Sequence, residues 1–128
     1  MKRVVVFGVF DILHPGHLYF LQEAKKYGDY LTVVVTRDAR VRAEKVHRPV
    51  FSERERLKMV SALRWVDEAL LGDRIGEWKI LKRLEVNVLC LGYDQNQSWI
   101  KKCGLKKIPK IVKIRRWKTY RTQQYARH

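Results

Sequence analysis

Five short apolar runs recur along this chain, at Val4–Phe7, Leu31–Val35, Ala69–Leu71, Val86–Leu91 and Ile108–Ile114. They are nearly continuous rather than strictly alternating, so each asks for burial on both faces. That is the demand of a strand inside a parallel sheet covered by helices. Helical spacing fills the intervals. His17–Tyr27 sets Leu18, Leu21 and Ala24 on one face and stops at Gly28. Ser52–Leu63 opens on Ser52-Glu53-Arg54-Glu55, a capping box in which Ser52 and Glu55 each satisfy the other's amide. Pro49 just upstream disfavours an earlier helical start. Ile75–Leu84 reads as a third helix weakened by Gly76, and Ser98–Lys102 as a short fourth before Gly104.

Strand and helix therefore alternate, which predicts a doubly wound parallel α/β sheet, Rossmann-like, in a single domain over residues 1–118. A basic tail, 119–128, follows it. In such sheets ligands bind at the carboxyl ends of the strands, where the strand order reverses. The loops after Phe7, Val35 and Leu91 are thus the ones to inspect. The charged connection 37–48 reads either as a loop over a site or as a frayed helix.

Composition narrows the classes. With 46% apolar residues in 128, the chain can build a core, and it is too apolar to be disordered. No apolar run is long enough to cross a membrane, and Met1–Gly8 reads as a strand rather than a signal peptide. Cys90 and Cys103 make neither a disulfide framework nor a metal cluster, and a reducing cytoplasm is the expected setting.

The net charge is +15, from 28 Lys and Arg against 13 Asp and Glu, and it is unevenly spread. Residues 101–128 hold 11 of the basic residues and no acidic one. An anionic partner near the C-terminal part is one reading of that asymmetry, and a solvated lysine-rich surface is the other.

The loop after the first strand carries the chemistry. It reads Gly8-Val9-Phe10-Asp11-Ile12-Leu13-His14-Pro15-Gly16-His17. Gly8 lets backbone amides approach a ligand, and Pro15 suits the first turn of a helix whose N-terminus favours phosphate. His14 and His17, three residues apart, project from one side of that turn. Two imidazoles aimed at one phosphate can donate hydrogen bonds to charge that develops in a transition state. Metal binding by the pair is an alternative, although no further cluster completes a site. Simple helix capping is another.

Gly8–His17 resembles the signature of the cytidylyltransferase-like nucleotidyltransferases, G-T-F-D-x-x-H-x-G-H, with Val9 where the pattern has Thr. The resemblance extends to His47-Arg48-Pro49, Glu53–Arg56, Trp65–Glu68 and Gly92-Tyr93-Asp94-Gln95, and so covers nearly the whole chain. It implies transfer of a nucleoside monophosphate from ATP or CTP to a phosphorylated acceptor, with release of pyrophosphate. Such chemistry rests on positioning and charge stabilisation. His14 and His17 would hold the phosphates, and Lys45 would reach the triphosphate. Gly8, Val9, Phe10, Pro15, Gly16, Gly92 and Asp94 would line the nucleotide site. Arg56 would bind phosphate, the alternative being a surface ion pair with Glu53 or Glu55. Trp117 would stack on the base, the alternative being an ordinary aromatic. Mg2+ would bridge the phosphates, with Asp11 an indirect partner.

Within the family the chain looks most like archaeal FAD synthases, which adenylylate FMN. Glycerol-3-phosphate cytidylyltransferases are the second resemblance. Their R-T-E-G-I-S-T-T segment is matched only by Arg121-Thr122, and the cysteines of the archaeal tails are absent after Cys103. The basic tail would then supply phosphate contacts by charge, so deleting 119–128 should raise the nucleotide KM. A different class remains open on charge alone: an RNA-binding module stacking bases on Trp117, Tyr120 and Tyr125. A homodimer joined through exposed Trp65 and Trp78 is a further expectation, with a monomer as its alternative.

Overall fold

A computed structural model describes residues 1–44 and 48–116. Lys45, Trp117 and the tail 119–128 lie outside the described residues. The strands are β1 (Arg3–Gly8), β2 (Tyr30–Val35), β3 (Glu68–Leu71), β4 (Val88–Gly92) and β5 (Lys110–Ile114). The helices are α1 (Pro15–Lys25), α2 (Asp38–Glu44), α3 (Glu53–Ser61) and α4 (Ile80–Leu84), with a 3-10 helix over Ser98–Cys103. All four strand pairings are parallel, in the order β3-β2-β1-β4-β5. The doubly wound α/β sheet expected from the apolar runs is therefore the fold.

Alternate residues of each central strand serve different cores. Val4 and Val6 of β1 pack with Leu31, Val33 and Val35 of β2 against Leu21 and Ala24 of α1 and Val60 of α3. Val5, Val34, Leu89 and Leu91 face the other way, onto Ile80, Leu81 and Leu84 of α4 and onto Ile100 and Cys103. This two-sided burial is why β1, β2 and β4 read as unbroken apolar runs.

The capping box is present: Ser52 Oγ accepts from the Glu55 amide at 3.2 Å, and Glu55 Oε1 accepts from the Ser52 amide at 2.9 Å. One helical expectation needs correction. The third predicted helix, Ile75–Leu84, begins only at Ile80. Gly76 sits at φ +85°, and Asp73 Oδ2 caps the true start by accepting from the amides of Lys79 (3.0 Å) and Ile80 (3.1 Å). Part of the charged connection 37–48 is helix α2, held by the burial of Val41.

Strand order reverses between β1 and β4, since β2 and β3 lie on one side of that pair and β5 on the other. The β1–β4 ladder stops at Val6↔Cys90. Beyond it Gln95 takes over, its Nε2 donating to Phe7 O at 2.9 Å and its Oε1 accepting from Gly92 N at 2.7 Å. One carboxamide thus bridges the two strand ends where a ligand crevice is expected.

Candidate active site

The loop from β1 to α1 is built around two residues in tension. Phe10 is a non-glycine residue at φ +50°, in the left-handed region, and its ring is buried. It folds back over Gly8, where an added Cβ would stand 2.5 Å from the ring. Gly8 is therefore required for room, and its carbonyl is occupied by the Thr36 amide at 2.9 Å and hydroxyl at 3.2 Å. Phe10 then sets its ring against His17, centroids 5.4 Å apart in an edge-to-face arrangement.

His14 is the N-cap of α1, followed by Pro15 at the first helical position. Its Nδ1 accepts from the Gly16 amide at 3.1 Å. A neutral imidazole whose Nδ1 accepts carries its proton on Nε2, so His14 presents an N–H donor there. The His17 amide donates to His14 O at 2.9 Å. Helix capping and ligand-facing donation are thus both open to the same His14 ring. The amides of Gly16 and His17, expected to be unpaired, are taken up by His14 itself. An anion at this end of α1 would meet imidazole side chains in place of those two amides.

The two imidazoles lie nearly parallel, centroids 3.9 Å apart with 21° between planes. Burial pushes the His17 pKa down to about 3, and the neighbouring His14 pushes in the same direction. The Ile12 backbone acts weakly the other way, yet His17 Nδ1 is buried without a hydrogen bond of good geometry. Burial also lowers the His14 pKa. At neutral pH both rings are uncharged, so they offer dipoles rather than a compact double charge.

Around this pair the loop is anchored by two buried charged groups. Asp11 accepts from the amides of Val50 (2.7 Å) and Phe51 (2.9 Å), one carboxylate oxygen each. Arg56 is fully buried. It donates to Val9 O at 2.8 Å, to Phe51 O at 3.1 Å and to Asp38 Oδ1 at 2.6 Å. Asp38 and Glu53 cap each other, Asp38 N donating to Glu53 Oε1 (2.8 Å) and Glu53 N to Asp38 Oδ2 (3.1 Å). The starts of α2 and α3 and the histidine loop are therefore one hydrogen-bonded unit.

At the end of β4, Tyr93 and Asp94 are exposed, with Asp94 Oδ1 standing 3.4 Å from where a Cβ on Gly92 would lie. The Arg116 guanidinium lies 4.5 Å from the Tyr93 ring centroid and donates to its hydroxyl at 3.2 Å. Asp94 and Arg116 thus bring opposite charges to the same strand end. A cavity of about 290 Å³ opens beside the crevice, lined in part by Phe7, Thr36, Gln95, Trp78 and Trp99. A larger one, about 710 Å³, lies at the opposite end of β4 and β5 among Lys82, Lys106, Lys107 and Lys110, away from the histidines.

The cytidylyltransferase-like family matches residues 5–126. This chain belongs to that family. Among its relatives, the FAD synthase of Ferroglobus placidus is 44% identical over 121 residues, covering 90% of this chain and 77% of that protein. The FAD synthase of Aciduliprofundum boonei is 43% identical over 123 residues, covering 91% and 80%. That of Methanosphaerula palustris is 48% identical over 96 residues, covering 75% of this chain and 61% of that protein. A crystal structure of the lipopolysaccharide core biosynthesis protein from Thermoplasma volcanium superposes with a TM-score of 0.82. It is 42% identical and covers 91% of this chain and 98% of that one. A protein from Archaeoglobus fulgidus, 24% identical with a TM-score of 0.69, shares the fold.

In this cytidylyltransferase-like chain the structure brings Gly8, Val9, Phe10, His14, Pro15, Gly16 and His17 into one turn, and it sets Gly92 and Asp94 at the neighbouring strand end. Arg56 differs from both of its sequence readings. It is neither exposed to a ligand nor paired on the surface with Glu53 or Glu55, because its guanidinium is consumed by Val9, Phe51 and Asp38. Asp11 likewise spends both oxygens on loop amides. Trp78 is half-buried under Arg40 and near Trp99 rather than on an open face, and Trp65 is half-buried beside Arg64. Sequence reasoning missed Asp38, Arg116 and the clamp made by Gln95. The only signal for Gln95 was its place in Gly92-Tyr93-Asp94-Gln95.

Proposed function

We propose that this chain is an FAD synthase, transferring the adenylyl group of ATP to the phosphate of FMN. A phosphate oxygen of FMN attacks the α-phosphorus of ATP, the new P–O bond forms, and the bond to the pyrophosphate oxygen breaks. The products are FAD and pyrophosphate. The observation that carries the reading is the likeness, over most of the chain, to several archaeal FAD synthases, joined to a histidine pair of fitting chemistry.

His14 and His17 donate to the phosphate oxygens on which charge develops, and the positive end of α1 adds to the same field. Their neutrality at physiological pH suits this task, since a donor needs no prior proton uptake. Asp94 accepts from the nucleoside. Arg56 and Asp11 act on the loop backbone, holding the histidines in place. Among the described residues no group of three or more His, Cys, Asp or Glu forms a metal cage. Mg2+, when bound, would offset the negative charge of the triphosphate, and Asp11, whose two oxygens accept the Val50 and Phe51 amides, would act on it only indirectly. The two free, buried thiols suit a reducing cytoplasm.

Pyrophosphate release tests the reading, with ATP and CTP each crossed against FMN, glycerol 3-phosphate, a sugar phosphate and buffer. The Thermoplasma volcanium protein, described by its role in lipopolysaccharide core biosynthesis, is the reason to include the sugar phosphate. Release should require ATP and FMN together. Release with CTP and a polyol or sugar phosphate, and none with FMN, would overturn it.

A further inference from the structure

The cavity beside the crevice has features that adenylyl transfer alone does not call for. Its volume is about 290 Å³, near the lower end of small-molecule sites. Its floor is the carboxyl end of the sheet, with Phe7 of β1, Val34 of β2 and Leu91 of β4. Two indoles form its aromatic wall. Trp78 and Trp99 lie within 24° of parallel, centroids 6.5 Å apart, and the edge of Phe7 meets Trp99 at 5.2 Å. Arg40 lies over Trp78 at 5.3 Å and is tied to Arg74 O at 3.1 Å, while Arg37 donates to Gly72 O at 2.7 Å. Both arginines are also ion-paired, Arg37 with Glu53 at 3.6 Å and Arg40 with Glu44 at 3.7 Å, and Glu44, Asp73 and Glu77 line the cavity too, so its rim carries charges of both signs.

We infer that this cavity seats the flat, electron-poor ring system of the flavin acceptor. The inference rests on the FMN reading above and extends it to named residues. Indole faces are good partners for a flat heteroaromatic ring, and an apolar floor suits the dimethylbenzene edge. Glycerol phosphate would gain nothing from such walls, because it needs hydrogen-bond partners along its length. The cavity also touches the histidine loop, since Thr36 on its wall donates to Gly8 O. A flavin lying there can run its phosphate tail past Gly8 toward His14 and His17. The exposed Asp94 and Tyr93 at the end of β4 are left for the nucleotide. Trp78 and Trp99 are thus specificity residues for the acceptor.

Flavin emission gives a readout independent of turnover, because a stacked indole quenches it. Riboflavin and FMN titrated into the wild-type protein without ATP should lose fluorescence saturably. Trp78→Leu and Trp99→Leu should each raise the FMN KM about tenfold, as expected for the loss of one aromatic stacking partner, and leave the ATP KM within about twofold. Should either fail to fold by circular dichroism, Trp78→Phe and Trp99→Phe keep the packing and should weaken the quenching. A rise in the ATP KM with an unchanged FMN KM would give the cavity to adenine and overturn the inference. Unchanged constants for both substrates would also overturn it. The two readings fail separately. FAD formation that is indifferent to either tryptophan sinks only the cavity assignment, whereas tryptophan-dependent flavin quenching without FAD formation sinks only the reaction.

Discussion

His14 and His17 lie ring on ring, centroids 3.9 Å apart, and His14 is held there by its own helix, through the Gly16 amide on its Nδ1. The arrangement leaves the pair neutral and aimed as a unit. Replacing either by Ala should lower kcat by roughly 100- to 1000-fold, the size of one lost electrostatic donor. Steady-state kinetics with ATP and FMN check this. The His14 variant should also lose thermal stability, about 1 kcal/mol, because the helix loses its cap.

The histidine pair makes stability depend on pH in a definite direction. In the native state His17 stays neutral down to about pH 3. In the unfolded chain an imidazole takes up its proton near pH 6.5. Between those values the unfolded state binds more protons, so stability falls as the pH drops through that window. The slope for one proton is at most about 1.4 kcal/mol per pH unit. Urea unfolding at pH 6.5 and 5.5 should show the loss, and His17→Phe should show a shallower one.

Nucleotide binding should reverse that shift, since phosphate beside the imidazoles favours their charged form. Binding below pH 6 should therefore be accompanied by proton uptake. Calorimetry of ATP binding in two buffers of different ionisation enthalpy measures it directly. Equal heats in both buffers at pH 5.5 would mean that the phosphates do not reach the pair.

Arg56 is a brace for the loop. Arg56→Met should cost about 3 kcal/mol in stability, since it strands Asp38 and frees the carbonyls of Val9 and Phe51. Were Arg56 a phosphate ligand, its loss would show mainly in the nucleotide KM. Chemical denaturation and KM measured on the same variant separate the two roles.

Gly8 and Phe10 should be energetically coupled. An added Cβ at Gly8 would lie 2.5 Å from the Phe10 ring, so Gly8→Ala should cost about 1–3 kcal/mol. In a Phe10→Leu background the extra cost should shrink, because the planar ring that fills the space is gone. A double-mutant cycle by denaturation reads the coupling.

Much of this protein was legible in one dimension. The unbroken apolar runs marked strands buried on both faces, because β1 and β2 each place alternate residues in separate cores. Ser52 and Glu55 announced the start of α3, since a capping box is satisfied within four residues. The string Gly8–His17 pointed to phosphate chemistry for the same reason, as a loop and one helical turn bring its members together. What failed to show was everything decided across the sheet. Arg56 read as a phosphate ligand or a surface ion pair on a polar helix, and only packing against Val9 and Asp38, 47 and 18 positions away, buried it. Asp11 sits inside the motif, yet its partners are amides about 40 residues downstream. Gln95 became a clamp only where the β1–β4 ladder ran out, and Trp78 and Trp99 met across the mouth of a cavity that no local pattern encodes. Local geometry is written in spacing. Which charged group is buried, and which aromatic faces a ligand, follows from the neighbours that folding supplies.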